Sequence, residues 1–201
     1  MTGLLGKLDH LLQSDGWSDA LQRTISASLR ENPVETARQI YRVLVFYRKQ
    51  NAVVQRLHRA LARINDPQTL SMLQPLLTHS DSGVRMVAVL WLGLSRDVRF
   101  VDSLLERAYH DANLAVRQKA QIASTILLVR AGRFSELLSL IQENPVSVAV
   151  GLGVLTRRKE LPPEGFKVLV MLRYHPEISD NGRMRRQVNL MLRKARNYLE
   201  R

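Results

Sequence analysis

No cysteine occurs in the 201 residues, which excludes disulfides, thiolate metal ligands and cysteine nucleophiles together. Glycine (10) and proline (7) are sparse, and their short clusters at Ser14–Trp17, Asn65–Pro67, Gly132 and Leu161–Gly165 read as turns rather than linkers. Aromatic residues make up 5%, too few for an obvious base-stacking surface. Tyr41, Phe46 and Tyr47 fall in a segment apolar on most sides, so their rings are expected in the core. No apolar run approaches the ~20 residues a membrane-spanning helix needs. The N-terminal segment has no signal-type apolar stretch, and the expected location is cytoplasmic.

The patterns that carry catalysis are missing too. There is no glycine-rich phosphate loop, no Gly-x-Ser-x-Gly, and no close carboxylate pair in an apolar setting. His10, His58, His79, His110 and His175 include no i, i+4 pair that would place two metal ligands on one helix. His79 and His110 read as occupying corresponding turns, but packed helices lie about 8–10 Å apart, so polar turn residues describe them better than shared ligands. The sequence therefore gives no catalytic residue, no metal site and no cofactor.

Acidic residues are absent from two long stretches, Thr36–Asn65 and Asn181–Leu199, in a chain of formal net charge +12. Helical spacing turns both into stripes, because residues three, four and seven apart share a face. Arg56, Arg59 and Arg63 line one side of a helix whose other side is Val53, Leu57, Leu61 and Ile64. Arg186, Asn189, Arg193 and Arg196 line the last helix opposite Val188, Met191, Leu192, Ala195 and Leu199. Such stripes suit acidic proteins, phosphates or plain solvation, and at the end of a repeat array they also provide a polar cap.

What is present is a repeat. Val84-Arg85-Met86-Val87-Ala88 and Val116-Arg117-Gln118-Lys119-Ala120 lie 32 residues apart, preceded by Asp81 and Asp111. The same interval beyond Val116 leads to Val148, where Ala149 stands in place of the arginine. Glu31-Asn32-Pro33-Val34 is reproduced at Glu143-Asn144-Pro145-Val146, and Asp66-Pro67 follows the same logic of a side-chain acceptor at the N-cap and proline at the first helical position. A regular period of this length marks stacked helix pairs, each burying its apolar face on its neighbours.

These residues resemble the HEAT-repeat family, in its short branch of about 30 residues, most clearly over residues 66–128. The resemblance implies an all-α, right-handed α-solenoid of stacked antiparallel helix pairs. About twelve helices fit the length, in a single repeat domain over residues 1–201. Clear repeats span about 66–157, with degenerate or capping helices at 1–65 and 158–201. Asp66–Leu77 and Ser82–Leu94 read as one helix pair, and Val98–Tyr109 and Asn113–Val129 as the next. Asp81, Arg85, Asp111 and Arg117 are implied to be structural, linking turns and helices.

The expected function is a non-enzymatic adaptor or scaffold for a protein partner with an acidic surface. If inner helices line a concave face, Met86, Val89 and Leu90 form the floor of an apolar groove, although burial by neighbouring helices accounts for the same pattern. A second reading is a nucleic-acid-binding solenoid with Arg56, Arg59, Arg63, Arg186, Arg193 and Arg196 on phosphates. A third, a DNA-glycosylase-like or lyase-like enzyme or enzyme accessory, has Trp91 and Asp97 as its nearest candidates and no motif. Trp91 is expected in the core, Asp97 in a turn.

Overall fold

The computed structural model describes residues 4–13 and 18–200; the turn expected over Ser14–Trp17, with Trp17 itself, lies outside them. Every regular element among the described residues is helical, as the repeat reading requires, and the fold class is all-α. The chain divides into two compact units, Met1–Arg96 and Asp97–Arg201.

The first unit holds α1 (Leu4–Gln13), α2 (Ser18–Glu31), α3 (Pro33–Phe46), α4 (Asn51–Arg63), α5 (Pro67–Leu73) and α6 (Ser82–Leu94). A 3-10 turn, Gln74–Thr78, extends α5; Pro75 has no N–H to continue the α-helical ladder, so the last turn tightens instead. α6 packs against α3, α4 and α5. Its Val84, Val87, Ala88, Val89, Trp91 and Leu92 are fully buried, and the Trp91 indole Nε1 donates to the Ile64 carbonyl, 3.1 Å away at the end of α4. This side chain joins two helices by both area and a hydrogen bond.

The second unit opens with a 3-10 turn, Val98–Phe100, followed by α7 (Val101–His110), α8 (Leu114–Ala131), α9 (Phe134–Glu143), α10 (Pro145–Arg158), α11 (Pro163–Arg173), the short α12 (Pro176–Ser179) and α13 (Gly182–Leu199). α8 is its centre, packing on α7, α9 and α10, while α13 lies on α10, α11 and α12. Thirteen α-helices stand among the described residues where about twelve were expected, the excess being short pieces such as α12.

Two kinds of corner are written into the repeat. In the first, a single asparagine separates two helices: Asn32 (φ −152°, ψ 92°) and Asn144 (φ −159°, ψ 83°) adopt nearly the same extended geometry. Each caps the following helix by accepting from the backbone N–H three residues on, Glu35 at 3.0 Å and Ser147 at 2.9 Å. Each also donates its own N–H to the carbonyl four residues back, Ser28 or Leu140. The shared Glu-Asn-Pro-Val is thus a one-residue turn in which the cap and the proline at N1 do all the local work.

The second kind is a three-residue turn held by arginine. Arg85 Nη1 donates to the carbonyls of His79 (2.8 Å) and Ser80 (2.9 Å), and Arg117 Nη1 to those of Asp111 (2.6 Å) and Ala112 (3.4 Å). The structural role implied for these arginines takes this form. The aspartates, however, are not equivalent. Asp81 caps α6 by accepting from the Gly83 N–H at 2.8 Å, as Asn113 caps α8 by accepting from Ala115 at 2.9 Å. Asp111 accepts from the Asn113 N–H at 2.9 Å, and its counterpart is His79, whose Nδ1 accepts from the Asp81 N–H at 3.0 Å. Pairing Asp81 with Asp111, and His79 with His110, is corrected accordingly. The arginine disappears at Ala149 because a one-residue corner leaves no turn carbonyls to hold.

Asp81 also accepts from Arg38 Nε of α3 at 3.3 Å. The Gly83 N–H first, and Arg38 next, hold its carboxyl below the ordinary value. A depressed carboxylate adds stability above the unfolded-state pKa and loses it as pH falls through the folded value. Asp81→Ala is expected to cost about 1 kcal/mol at neutral pH through the lost cap. Asp81→Asn, which puts the Asn113 residue type in this position, should stay within about 0.5 kcal/mol of wild type in urea and show a shallower acid-induced loss of stability. Equal losses for both variants would show that the cap contributes nothing.

Candidate functional site

The groove floor expected on α6 is not available. Val89 is 0% and Leu90 9% exposed, and only Met86 is half-buried. A docking floor needs apolar area open to solvent, and α6 gives its own to the core. Trp91 is likewise fully buried. Asp97 caps the 3-10 turn and is held by the Arg99 side chain, Nη2 to Oδ2 at 2.6 Å, so neither candidate of the enzyme reading has an open face. Among the described residues no group of three or more His, Asp or Glu side chains could hold a metal ion.

The α4 stripe is split. Arg59 and Arg63 are exposed, but Arg56 is half-buried and its Nη1 donates to the Leu12 carbonyl at 2.9 Å, tying α4 to α1. Of the three rings expected in the core, Tyr47 is 4% exposed, whereas Tyr41 is 37% and Phe46 77% exposed. Phe46 is the last residue of α3, where the next turn no longer covers its ring.

The α13 stripe survives intact on the surface: Arg186, Arg193 and Arg196 are all exposed. Asn181 starts the helix by accepting from the Met184 N–H at 3.1 Å, while Met184, Val188 and Ala195 anchor it. At its far end the Tyr198 hydroxyl donates to the Leu161 carbonyl at 3.3 Å, pinning α13 to the start of α11, and partial burial raises its pKa. Between these two helices lies a cleft of about 560 Å³ lined by Phe166, Val170, Arg173 and Tyr174 of the α11 side and Asn189, Leu192, Arg193, Arg196 and Asn197 of α13. Two of the three stripe arginines face into it; Arg186 does not line it.

Two arginines elsewhere in the second unit have their charge taken up locally. Arg130 pairs with Glu160 at 2.5 Å, and Arg133 bridges Asp102 (2.7 Å) and Glu136. Those carboxylates, Glu136 first, hold the Arg133 guanidinium in its charged form. At the cleft, Arg173 and Arg193 form no ion pair among the described residues, and the Arg173 guanidinium lies 5.5 Å from the Tyr174 ring centroid. Arg196 reaches Glu200 at 3.7 Å with both side chains about two-thirds exposed (67% and 70%), a pair of little energetic weight.

The cleft residues of α11 were invisible to sequence reading. α11 is apolar nearly all round, and one signal was present: Val170 and Tyr174 share a face that Val168 and Leu169 do not need for the core. Tyr174 is 70% exposed.

Residues 47–124 match the family model of HEAT repeats, spanning α4 to the middle of α8, with both arginine-held turns. These are HEAT repeats. Such repeats generally act as protein-binding scaffolds and are generally non-enzymatic. No curated protein and no solved structure matches the chain significantly. No helix among the described residues is long and apolar enough to cross a membrane.

Proposed function

We propose that the protein is a non-enzymatic adaptor, acting in the cytoplasm as a single repeat domain over residues 1–201, that holds a protein partner bearing an acidic surface. The observation that carries this reading is the HEAT-repeat match over residues 47–124. The chemistry of the partner follows from α13, where a stretch without acids leaves Arg186, Arg193 and Arg196 exposed. Arginine keeps its charge at any cellular pH and meets carboxylates with a planar fork of donors. The exposed Arg59 and Arg63 add to the field that speeds and orients encounter.

Phosphate binding by Arg56, Arg59, Arg63, Arg186, Arg193 and Arg196 is the competing reading, and the engagement of Arg56 with Leu12 counts against its full set. Recovery of tagged protein from its native lysate with and without nuclease separates the two. The adaptor reading expects a stoichiometric protein partner that survives nuclease and dissociates as salt rises. Loss of every partner on digestion would transfer the proposal to nucleic acid.

A further inference from the structure

We infer that the cleft between α11 and α13 is the docking site for the partner, and that its occupant is a peptide segment carrying carboxylates beside an apolar side chain. This rests on the adaptor reading and gives it a location outside the HEAT-matched residues. The cleft is built from three chemistries. Phe166, Val170 and Leu192 form an apolar wall, with Val170 37% exposed. Arg173 of α11 and Arg193 and Arg196 of α13 line it from two different helices. Asn189 and Asn197 supply amides.

Each element favours a peptide over a nucleic acid. An asparagine amide offers both a donor and an acceptor, matching the alternating C=O and N–H of an extended peptide, whereas phosphate oxygens only accept. An aliphatic or aromatic side chain fills an apolar wall that a sugar-phosphate backbone would leave wet. Stacking of bases needs free ring faces, and the exposed ring at the cleft, Tyr174, already has Arg173 beside it at 5.5 Å. The arginines then read the carboxylates, with charge-assisted hydrogen bonds that strengthen where the wall excludes water.

Fluorescence anisotropy with defined probes tests this on the full chain. The probes are a fluorescein-labelled peptide of mixed glutamate and leucine, a peptide of equal charge with serine for leucine, and a labelled oligothymidylate. The proteins are wild type, the cleft pair Arg173→Glu/Arg193→Glu, and the charge-matched pair Arg183→Glu/Arg185→Glu at exposed positions of α13 outside the cleft. Thermal midpoints confirm that both pairs fold.

The Glu/Leu peptide is expected to bind wild type, to weaken roughly a hundredfold on the cleft pair, and to change by no more than about threefold on the matched pair. The Glu/Ser peptide should bind about tenfold more weakly than Glu/Leu. Equal weakening by the two pairs, equal binding of the two peptides, tighter binding of the oligonucleotide, or no binding of any probe would each overturn the inference. A nuclease-resistant partner that stays on the cleft pair would remove the cleft and leave the adaptor reading standing; absence of any such partner would remove the adaptor reading itself.

Discussion

Replacing Trp91 with alanine is expected to destabilise the protein by about 3–5 kcal/mol, the range for losing a fully buried large aromatic side chain. The ring is 0% exposed and its Nε1 is the donor to the Ile64 carbonyl, so the variant loses packing area and leaves a buried acceptor unmet. Trp91→Phe separates the two contributions. It keeps most of the apolar area and should cost about 1–3 kcal/mol, largely for the unsatisfied carbonyl. Urea denaturation followed by far-UV circular dichroism reads both. A loss below about 1 kcal/mol for Trp91→Ala would mean that α4 and α6 are not joined through this side chain.

The second large effect is expected at a glycine. A Cβ added to Gly151 of α10 would stand 2.7 Å from Cβ and Cγ2 of Thr125 and 3.1 Å from the carbonyl oxygen of Ile122, both on α8. Thr125 has little freedom to give way, since it is buried and its hydroxyl donates to the Gln121 carbonyl at 2.8 Å. Overpacking at about 1–3 kcal/mol opposes the ~1 kcal/mol that alanine gains over glycine in a helix, and with backbone and a held threonine as the clashing atoms Gly151→Ala should lose up to roughly 2 kcal/mol. Two residues on, a Cβ at Gly153 meets chiefly the terminal methyl and sulfur of Met191, 2.7 and 3.2 Å away. That flexible side chain can move, so Gly153→Ala is expected to be neutral or stabilising by up to ~1 kcal/mol. Stability of both variants in urea checks the contrast, and a stabilised Gly151→Ala would contradict the close approach of α10 to α8.

Helix starts were legible because their chemistry is local. Asn32, Asp66 and Asn144 each cap the helix that follows them in sequence, and α6 runs over Ser82–Leu94 as its pattern predicts. The equivalence of Asp81 and Asp111 failed because it matched residue identity, whereas the turn matches hydrogen-bond position: His79 answers Asp111, and Asp81 answers Asn113. Side chains whose fate depends on a neighbouring helix were not legible. Arg56 looks like its stripe partners in sequence, and only the nearby Leu12 carbonyl turns it into a structural link. Val89 and Leu90 could have floored a groove until their burial was known, and Phe46 could have been core until its position at the end of α3 left it bare. The α11–α13 cleft depends on two helices separated by α12, a juxtaposition that no local period encodes.

The measurement that tests the central claim most directly is zero-length carbodiimide crosslinking of the purified complex, which joins lysine amines of this chain to carboxylates of the partner, with crosslinked peptides identified by mass spectrometry. Lys167 and Lys194 are exposed on α11 and α13, Lys167 next in sequence to the cleft residue Phe166. Lys194 lines the separate α10–α13 pocket, so an acidic partner docked at the cleft should crosslink at Lys167 and lose that crosslink on the Arg173→Glu/Arg193→Glu protein. Crosslinks confined to Lys7 or Lys49 in the first unit, unaffected by that variant, would contradict the account.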